Sequence, residues 1–234
     1  MKTFNDLQEG LNDPNIFKAF FLAGGPGSGK SFVVRQTTGG TGLQIVNSDD
    51  AFERYLKQAG LEMDMRTTQA EREKEERDTE RKRAKRVTKA RKGGYIQGRL
   101  GLIIDGTGKD YDKIAKQSIQ LRQLGYDTHM IFVNTSLDVA LKRNAKRERS
   151  VSNSVATNSW RSVQSNIGKF SQHFRQNFIV VDNNNADAKD PQIFNDVLKQ
   201  IKGLLKKKVK SPLAKQWVMQ QMKDRGITKA PKGF

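Results

Sequence analysis

Short apolar runs, each stopped by glycine or a polar cluster, recur along the chain and set its architecture. Lys18 to Gly24 (KAFFLAG) is apolar throughout and reads as a fully buried strand. Leu43 to Val46 is a second strand, ending at Asn47-Ser48-Asp49-Asp50, where a polar cluster marks both a strand end and a helix cap. Leu100 to Ile104 is a third, ending at Asp105-Gly106-Thr107-Gly108; His129 to Val133 and Phe178 to Val181 are the fourth and fifth. Helical patterns follow the first strand and occupy Tyr111 to Leu124, Ser136 to Arg147, Thr157 to Phe174 and Gln192 to Leu205. Strands alternating with helices imply right-handed crossovers, hence an α/β fold with a mostly parallel five-stranded sheet between two helical layers. Sites in such sheets lie at the carboxyl ends of the strands.

Thr67 to Lys92 breaks the rhythm, because Ala70, Ala84, Val87 and Ala90 are its only apolar positions. Thr68 and Glu71 have capping-box spacing; acids crowd the first half and bases the second, the order that complements a helix dipole. A long, exposed charged helix is expected, inserted over about 62–95, with its basic end as a candidate grip for a polyanion.

The strongest chemical signal is Gly24-Gly25-Pro26-Gly27-Ser28-Gly29-Lys30-Ser31. It satisfies the phosphate-loop spacing, follows a strand and opens a helix, so backbone N–H groups of Gly25, Gly27, Ser28 and Gly29 can curl around phosphate oxygens at a helix N-terminus. Lys30 would neutralise β and γ oxygens, and the Ser31 hydroxyl would ligate Mg²⁺. ATP and Mg²⁺ are therefore the expected cofactors. Asp49 or Asp50, at the next strand end, suits a general base or an acceptor contact, and both also suit capping. Asp105 fits a water-mediated Mg²⁺ contact, acceptor positioning or a plain turn. Arg143 and Arg147, four positions apart, would share one helix face and close as a lid (about 143–158) over the phosphates. Asn183-Asn184-Asn185 suits an adenine edge or a turn. His129 reads as structural and His173 as exposed, with no metal-site spacing; Trp160, Phe170 and Phe174 read as core aromatics.

Charge changes the picture of the partner. Lys plus Arg number 43 against 25 Asp plus Glu, a net +18. From Lys199 to Lys232 there are eleven basic residues and one acid, Asp224. A kinase domain over 1–198 and a basic extension over 199–234 are expected, with nucleic acid, DNA above all, as a partner. The absence of cysteine excludes disulfides, thiolate metal sites and a cysteine nucleophile. No run approaches the about 18–20 apolar residues that span a bilayer, so a soluble, cytoplasmic protein with no membrane partner is expected.

Four motifs in order (the GGPGSGKS loop, Asn47 to Asp50, the strand ending at Asp105, and Arg143-Asn144-Ala145-Lys146-Arg147) resemble the P-loop kinase group that contains phage polynucleotide 5′-kinases and zeta-toxin kinases. The resemblance covers about Lys18 to Val181. It implies Asp49 as general base, Arg143 and Arg147 as lid, a phage gene in a bacterial host, and transfer from ATP to a nucleic-acid hydroxyl, either a 5′-end or a hydroxymethylated base. Polynucleotide kinases carry an acceptor-phosphate arginine three positions after the base, where this chain has Phe52; Arg54 is the replacement candidate. The zeta-toxin likeness, carried by the same loop with Ile104 to Gly108, implies a nucleotide sugar as acceptor instead. An ATP-responsive nucleic-acid-binding module without transfer activity is the non-enzymatic alternative.

Overall fold

The computed structural model describes residues 10–38, 40–184, 191–231 and 234. Five strands form one parallel sheet: β1 (Lys18–Ala23), β2 (Gln44–Val46), β3 (Leu102–Asp105), β4 (Asp127–Asn134) and β5 (Phe178–Asp182), in the spatial order β2-β3-β1-β4-β5. β1 is central, with Phe20 in register between Ile103 and His129. Because both faces of β1 are covered, its six residues are all buried, which is why its sequence is a continuous apolar run rather than an alternation.

The period-two geometry of the strands divides the core into two layers. On one face, Ala19, Phe21, Leu102, Met130 and Phe132 meet helix α5 (Tyr111–Gln123), helices α7 (Asn153–Gln164) and α8 (Ile167–Phe174), and helix α10 (Pro212–Asp224). On the other, Phe20, Leu22, Ile103, Ile131, Val133, Ile179 and Val181 meet α1 (Lys30–Thr38) and α9 (Pro191–Lys206). The remaining helices are α2 (Ser48–Ala59), α3 (Thr68–Arg72), α4 (Lys74–Gln97) and α6 (Leu137–Ala145).

Several expected boundaries shift for identifiable reasons. The helix expected over Thr157 to Phe174 is two, broken at Ser165-Asn166, where the Asn166 amide leaves the helical path to donate to the carbonyls of Gly108 and Lys109 at 3.0 and 2.9 Å. The charged segment is also two helices, separated at Glu73, whose carboxylate accepts from the Glu62 backbone N–H and from Gln69. Nor is it simply solvated: α4 lies along α2, burying Ala84 and Arg77. His173 is half-buried rather than exposed, hydrogen-bonded to Ser118. Phe170 and Phe174 are buried in the core as expected, with Trp160 half-buried.

The expected boundary at 198 falls inside α9. Beyond it the chain continues to pack. Val209, Ala214 and Val218 are buried, and the rings of Trp217 and Phe234 meet Phe17 edge-on at 5.5 and 6.1 Å. Phe17 immediately precedes β1, and Gly125, which abuts Ala214, precedes β4. Helix α10 therefore closes the amino end of the sheet, the pole opposite the carboxyl ends of the strands. Among the described residues no helix is long and apolar enough to cross a membrane.

Candidate active site

The glycine-rich loop joins β1 to α1, so its N–H groups converge at the amino end of a helix, where the peptide dipoles favour an anion. Two glycines are obligatory. Gly27 has φ +78°, and a Cβ there would stand 2.0 Å from the Ala140 carbonyl oxygen of α6; Gly29 has φ +85°, with a Cβ 2.3 Å from the Asn183 amide nitrogen. The loop is braced from behind: the Ser28 carbonyl accepts from Asn183 Nδ2 at 2.7 Å and from Thr135 Oγ1 at 3.2 Å. Trp160 Nε1 in turn donates to the Thr135 carbonyl at 2.7 Å. Asn183 is thus a buried strut, its Nδ2 engaged by the loop while its Oδ1 has no hydrogen-bond partner among the described residues; Asn185 lies outside the described residues.

The cradle fits a phosphate chain. Its backbone curls at the amino end of α1, with Gly27 and Gly29 packed too closely on Ala140 and Asn183 to carry a Cβ, and the buried Ser28 hydroxyl has no hydrogen-bond partner among the described residues. Lys30 folds back, its Nζ donating to the Gly24 carbonyl at 2.7 Å. Burial pushes this ammonium down, opposed by the nearby carboxylates of Asp105 and Asp49. Such an ammonium gains most by acquiring an anionic partner. Ser31 is exposed in the first turn of α1, and its hydroxyl and the Asp105 carboxylate are hard oxygens of the kind that could hold Mg²⁺.

Opposite the loop, Asn47 organises the acids. As N-cap of α2 its Oδ1 accepts from the Asp49 N–H at 2.7 Å, while its Nδ2 donates to Asp50 and to Asp105, each at 3.1 Å. Asp105 and Asp49 are thereby brought to one edge of the phosphate loop. Burial raises Asp105, with Lys30 pulling the other way. Asp50 is exposed and also raised, by desolvation and by the neighbouring carboxylates of Glu53 and Asp49.

Asp49 has the opposite character. Burial acts to raise it, yet the guanidiniums of Arg149 and Arg81 outweigh this and hold its carboxyl below the usual carboxylate range. Arg81 Nη1 stands 2.6 Å from Oδ1 and Arg149 Nη2 3.3 Å from Oδ2. Arg149 also reaches Glu53 at 2.8 Å. The two arginines flank the Phe52 ring, 4.4 and 5.8 Å from its centre. So Phe52 is not a simple loss of an arginine: it is a buried platform for two guanidiniums delivered from elsewhere. Arg54 does not replace them. Five residues after Asp49, it points to another side of α2, exposed against Tyr55 at 5.5 Å.

The lid arginines separate. Helix α6 ends at Ala145 with Lys146 as cap, so Arg147 has left the helix and does not share a face with Arg143. Arg143 Nη1 donates to the Asn183 carbonyl at 2.9 Å and approaches the Gly29 side of the loop. Arg147 is exposed, and its charge is felt by both Lys30 and Asp105. The turn between them and α7 is pinned by Asn144, whose amide donates to and accepts from the Val151 backbone at 2.7 and 3.3 Å. Among the described residues no cluster of three or more His, Asp or Glu is placed to hold a metal by itself.

The fold agrees with what the chain is similar to. A kinase candidate from Chloroflexus aurantiacus J-10-fl shares 14% identity at a TM-score of 0.50, over 81% of this chain and 97% of that one. The PezAT toxin-antitoxin system of Streptococcus pneumoniae provides a chain with 16% identity and a TM-score of 0.51, over 86% and 91%. A complex of AvrRxo1-ORF1 and -ORF2 with ATP provides another, at 12% and 0.51, over 83% and 70%. At these identities the likeness is one of fold, the three-layer P-loop kinase fold. No curated protein matches the sequence. Residues 20–169, more than half of the chain and the whole stretch from β1 through α7 into α8, match the family described as AAA domain, and the chain belongs to that family.

Proposed function

We propose that the protein is a kinase that moves the γ-phosphate of ATP to a hydroxyl of a small molecule. One arrangement carries this reading: Asp49, in the first turn of α2, is held by the Asn47 cap that also binds Asp105, and both carboxylates lie in the electrostatic neighbourhood of Lys30 in the phosphate loop. A switch or an ATPase needs a phosphate cradle; transfer to an alcohol also needs a base that can take the hydroxyl proton.

In this reading the loop backbone from Gly25 to Gly29 and the Lys30 ammonium hold the β and γ phosphates, with Ser31 and Asp105, the latter through water, as the Mg²⁺ side. ATP supplies the phosphoryl group and Mg²⁺ offsets the charge on its oxygens. Arg143 and Arg147 add positive charge from the α6 side. Asp49 orients the acceptor hydroxyl and receives its proton as the oxygen bonds to phosphorus and the bond to the β-phosphate oxygen breaks. Asp50, exposed at the same helix end, contacts the acceptor; the capping role belongs to Asn47, whose amide donates to the Asp50 carboxylate.

Nucleic acid as acceptor, the reading that charge alone favours, receives less support from the fold. The lysines from Lys206 to Lys215 follow α9 to the amino end of the sheet and lie at the α10 pole, away from the phosphate loop. A nucleotide-sugar or other small alcohol needs no such surface. The deciding assay incubates the protein with γ-labelled ATP and Mg²⁺ against a panel of UDP-sugars, phosphorylated and neutral small alcohols, single- and double-stranded DNA, and RNA. Label in a small alcohol is the expected result; label only in polymer would overturn the acceptor class, and nucleotide binding without any transfer would leave a binding module.

A further inference from the structure

From Lys199 to Lys215 the chain carries seven lysines, no arginine and no acid, and all seven side chains are exposed. A loose solvated tail would account for the charge but not for the structure beneath it. Leu204 is buried in the apolar layer under α9 and Val209 in the layer on the other face of the sheet, so Lys206, Lys207 and Lys208 ride an ordered crossing of the sheet's amino end. Lys207 is close enough to His129, the third residue of β4, for its charge to be felt there. Lys202 and Lys206, four positions apart, continue the row back along one side of α9, and Lys210 and Lys215 flank the start of α10. A helix carboxyl end favours cations, which explains Lys206 and its neighbours. A helix amino end disfavours them, so Lys210 and Lys215 stand against the local field of α10. Among the described residues none of the seven is in an ion pair with a carboxylate, and the next acid downstream, Asp224, accepts from Gln220 at 2.7 Å.

We propose that this surface, from the end of α9 across to the start of α10, is a docking site for a nucleic-acid duplex, gripped through its phosphate backbone without regard to sequence. Charge complementarity carries the reading: a duplex presents about one negative charge per 1.7 Å, and unpaired ammoniums that neutralise its phosphates release the condensed counterions. The residue types set the mode. Lysine is a point charge on a flexible stem, whereas bidentate recognition of base edges uses the arginine fork, and this stretch has none. Single strands are held by aromatic stacking platforms, but the rings at this pole, Trp217 and Phe234, are turned in against Phe17. A lipid surface needs an apolar face that can enter the bilayer. Leu213 and Met219, the exposed large apolar side chains of α10, are six positions apart and lie on different sides of the helix. The surface is at the pole opposite the phosphate loop, so the duplex is a docking partner and not the acceptor of phosphate, and the proposal does not depend on what the other pole phosphorylates.

The test needs no turnover. The full chain is titrated into a fluorescently labelled DNA duplex of arbitrary sequence, about 30 base pairs long, with anisotropy read at salt concentrations from about 50 to about 200 mM. The expected result is binding whose log Kd rises with log salt at a slope of about 4 to 6, as for roughly five to seven neutralised phosphates, and which a duplex of unrelated sequence reproduces within about twofold. Lys206→Gln, Lys207→Gln, Lys208→Gln and Lys210→Gln combined should lower that slope by about 3 to 4 and weaken binding at least about tenfold at about 100 mM salt, while calorimetric affinity for the β,γ-imido analogue of ATP stays within about twofold. A control removes the same charge from exposed positions on α4: Lys82→Gln, Lys85→Gln, Lys89→Gln and Arg91→Gln combined should keep most of the slope. No duplex binding at the lowest salt would overturn the proposal. Equal loss in the two variants would do so by reducing the effect to net charge, and loss in the α4 variant alone by moving the surface there. Tighter binding to vesicles of anionic lipid, or competition by polyglutamate as effective as by unlabelled duplex at equal charge, would overturn it in favour of a membrane or an acidic protein.

Discussion

His129 offers a quantitative test of the core that carries the site. It lies in β4, 3% exposed and stacked on Phe20 at 4.8 Å, with neither ring nitrogen hydrogen-bonded among the described residues. Burial first, then the nearby charges of Lys18, Lys207 and Arg122, push it down from 6.5 to about 3. A histidine with a lowered folded pKa is neutral in the native state while the unfolded chain takes up its proton, so its contribution is harmless above pH 6.5 and turns against folding as pH falls. At pH 5 the unfolded chain has gained about 1.5 pH units of protonation free energy that the native state lacks, a loss of about 2 kcal/mol, growing to about 4 kcal/mol by pH 3. Urea unfolding at pH 7.5 and pH 5.0 would measure it, with His129→Leu as reference, since other groups titrate in the same window and cancel in the difference. The wild type should lose about 2 kcal/mol more than the variant over that interval. An equal loss in both would refute the burial of a neutral imidazole between β1 and its neighbours.

Other outcomes follow from the site and the opposite pole. Asp49→Asn should bind the ATP analogue as tightly as the wild type and lower transfer by roughly 10²–10⁴, measured with labelled ATP and the accepted alcohol; retained transfer would move the base to Asp50. Gly27→Ala should cost roughly 3 kcal/mol, because the added methyl meets the Ala140 carbonyl and the backbone φ is unfavourable for alanine, and should abolish calorimetric binding of the analogue. Trp217→Ala should cost about 2 kcal/mol in thermal or urea unfolding by removing a half-buried ring from Phe17, while leaving analogue affinity unchanged. A loss of affinity there would contradict the placement of α10 at the far end of the sheet.

The strands and the phosphate loop were legible because each is a local pattern: an apolar run needs no knowledge of its partners, and the loop spacing is set by backbone geometry. The helix breaks were not. Nothing near Ser165 announces that the Asn166 amide will be taken by the carbonyls of Gly108 and Lys109. Likewise Phe52 read as a missing arginine, because the two guanidiniums over its ring come from Arg81 and Arg149, remote in sequence and joined to Asp49 only by the packing of α4 and the turn after α6. The charge bias of Thr67 to Lys92 did hold a signal. Arg77, Arg81, Ala84 and Thr88 recur at helical spacing, and that stripe was obscured because three of its members are polar. Arg143 and Arg147 illustrate the converse error: their spacing promised a shared helix face, and the helix ends between them.

The course of α4 has a consequence for how this molecule can change. Everything it contributes to the acceptor side comes from one contiguous excursion between Gly60 and Gly98, whereas the donor side is assembled from β1, α1, α6 and the residue following β5. The two halves meet at Asp49 and Asn47, which belong to neither excursion nor loop. On the proposed reading, exchanging the stretch between Gly60 and Gly98 would change what packs beside Asp49 while leaving the phosphate loop as it is, with Phe52 and Arg149 common to every exchange. A set of such chimaeras would make the chain a chassis on which alcohol selectivity is varied at constant phosphate chemistry.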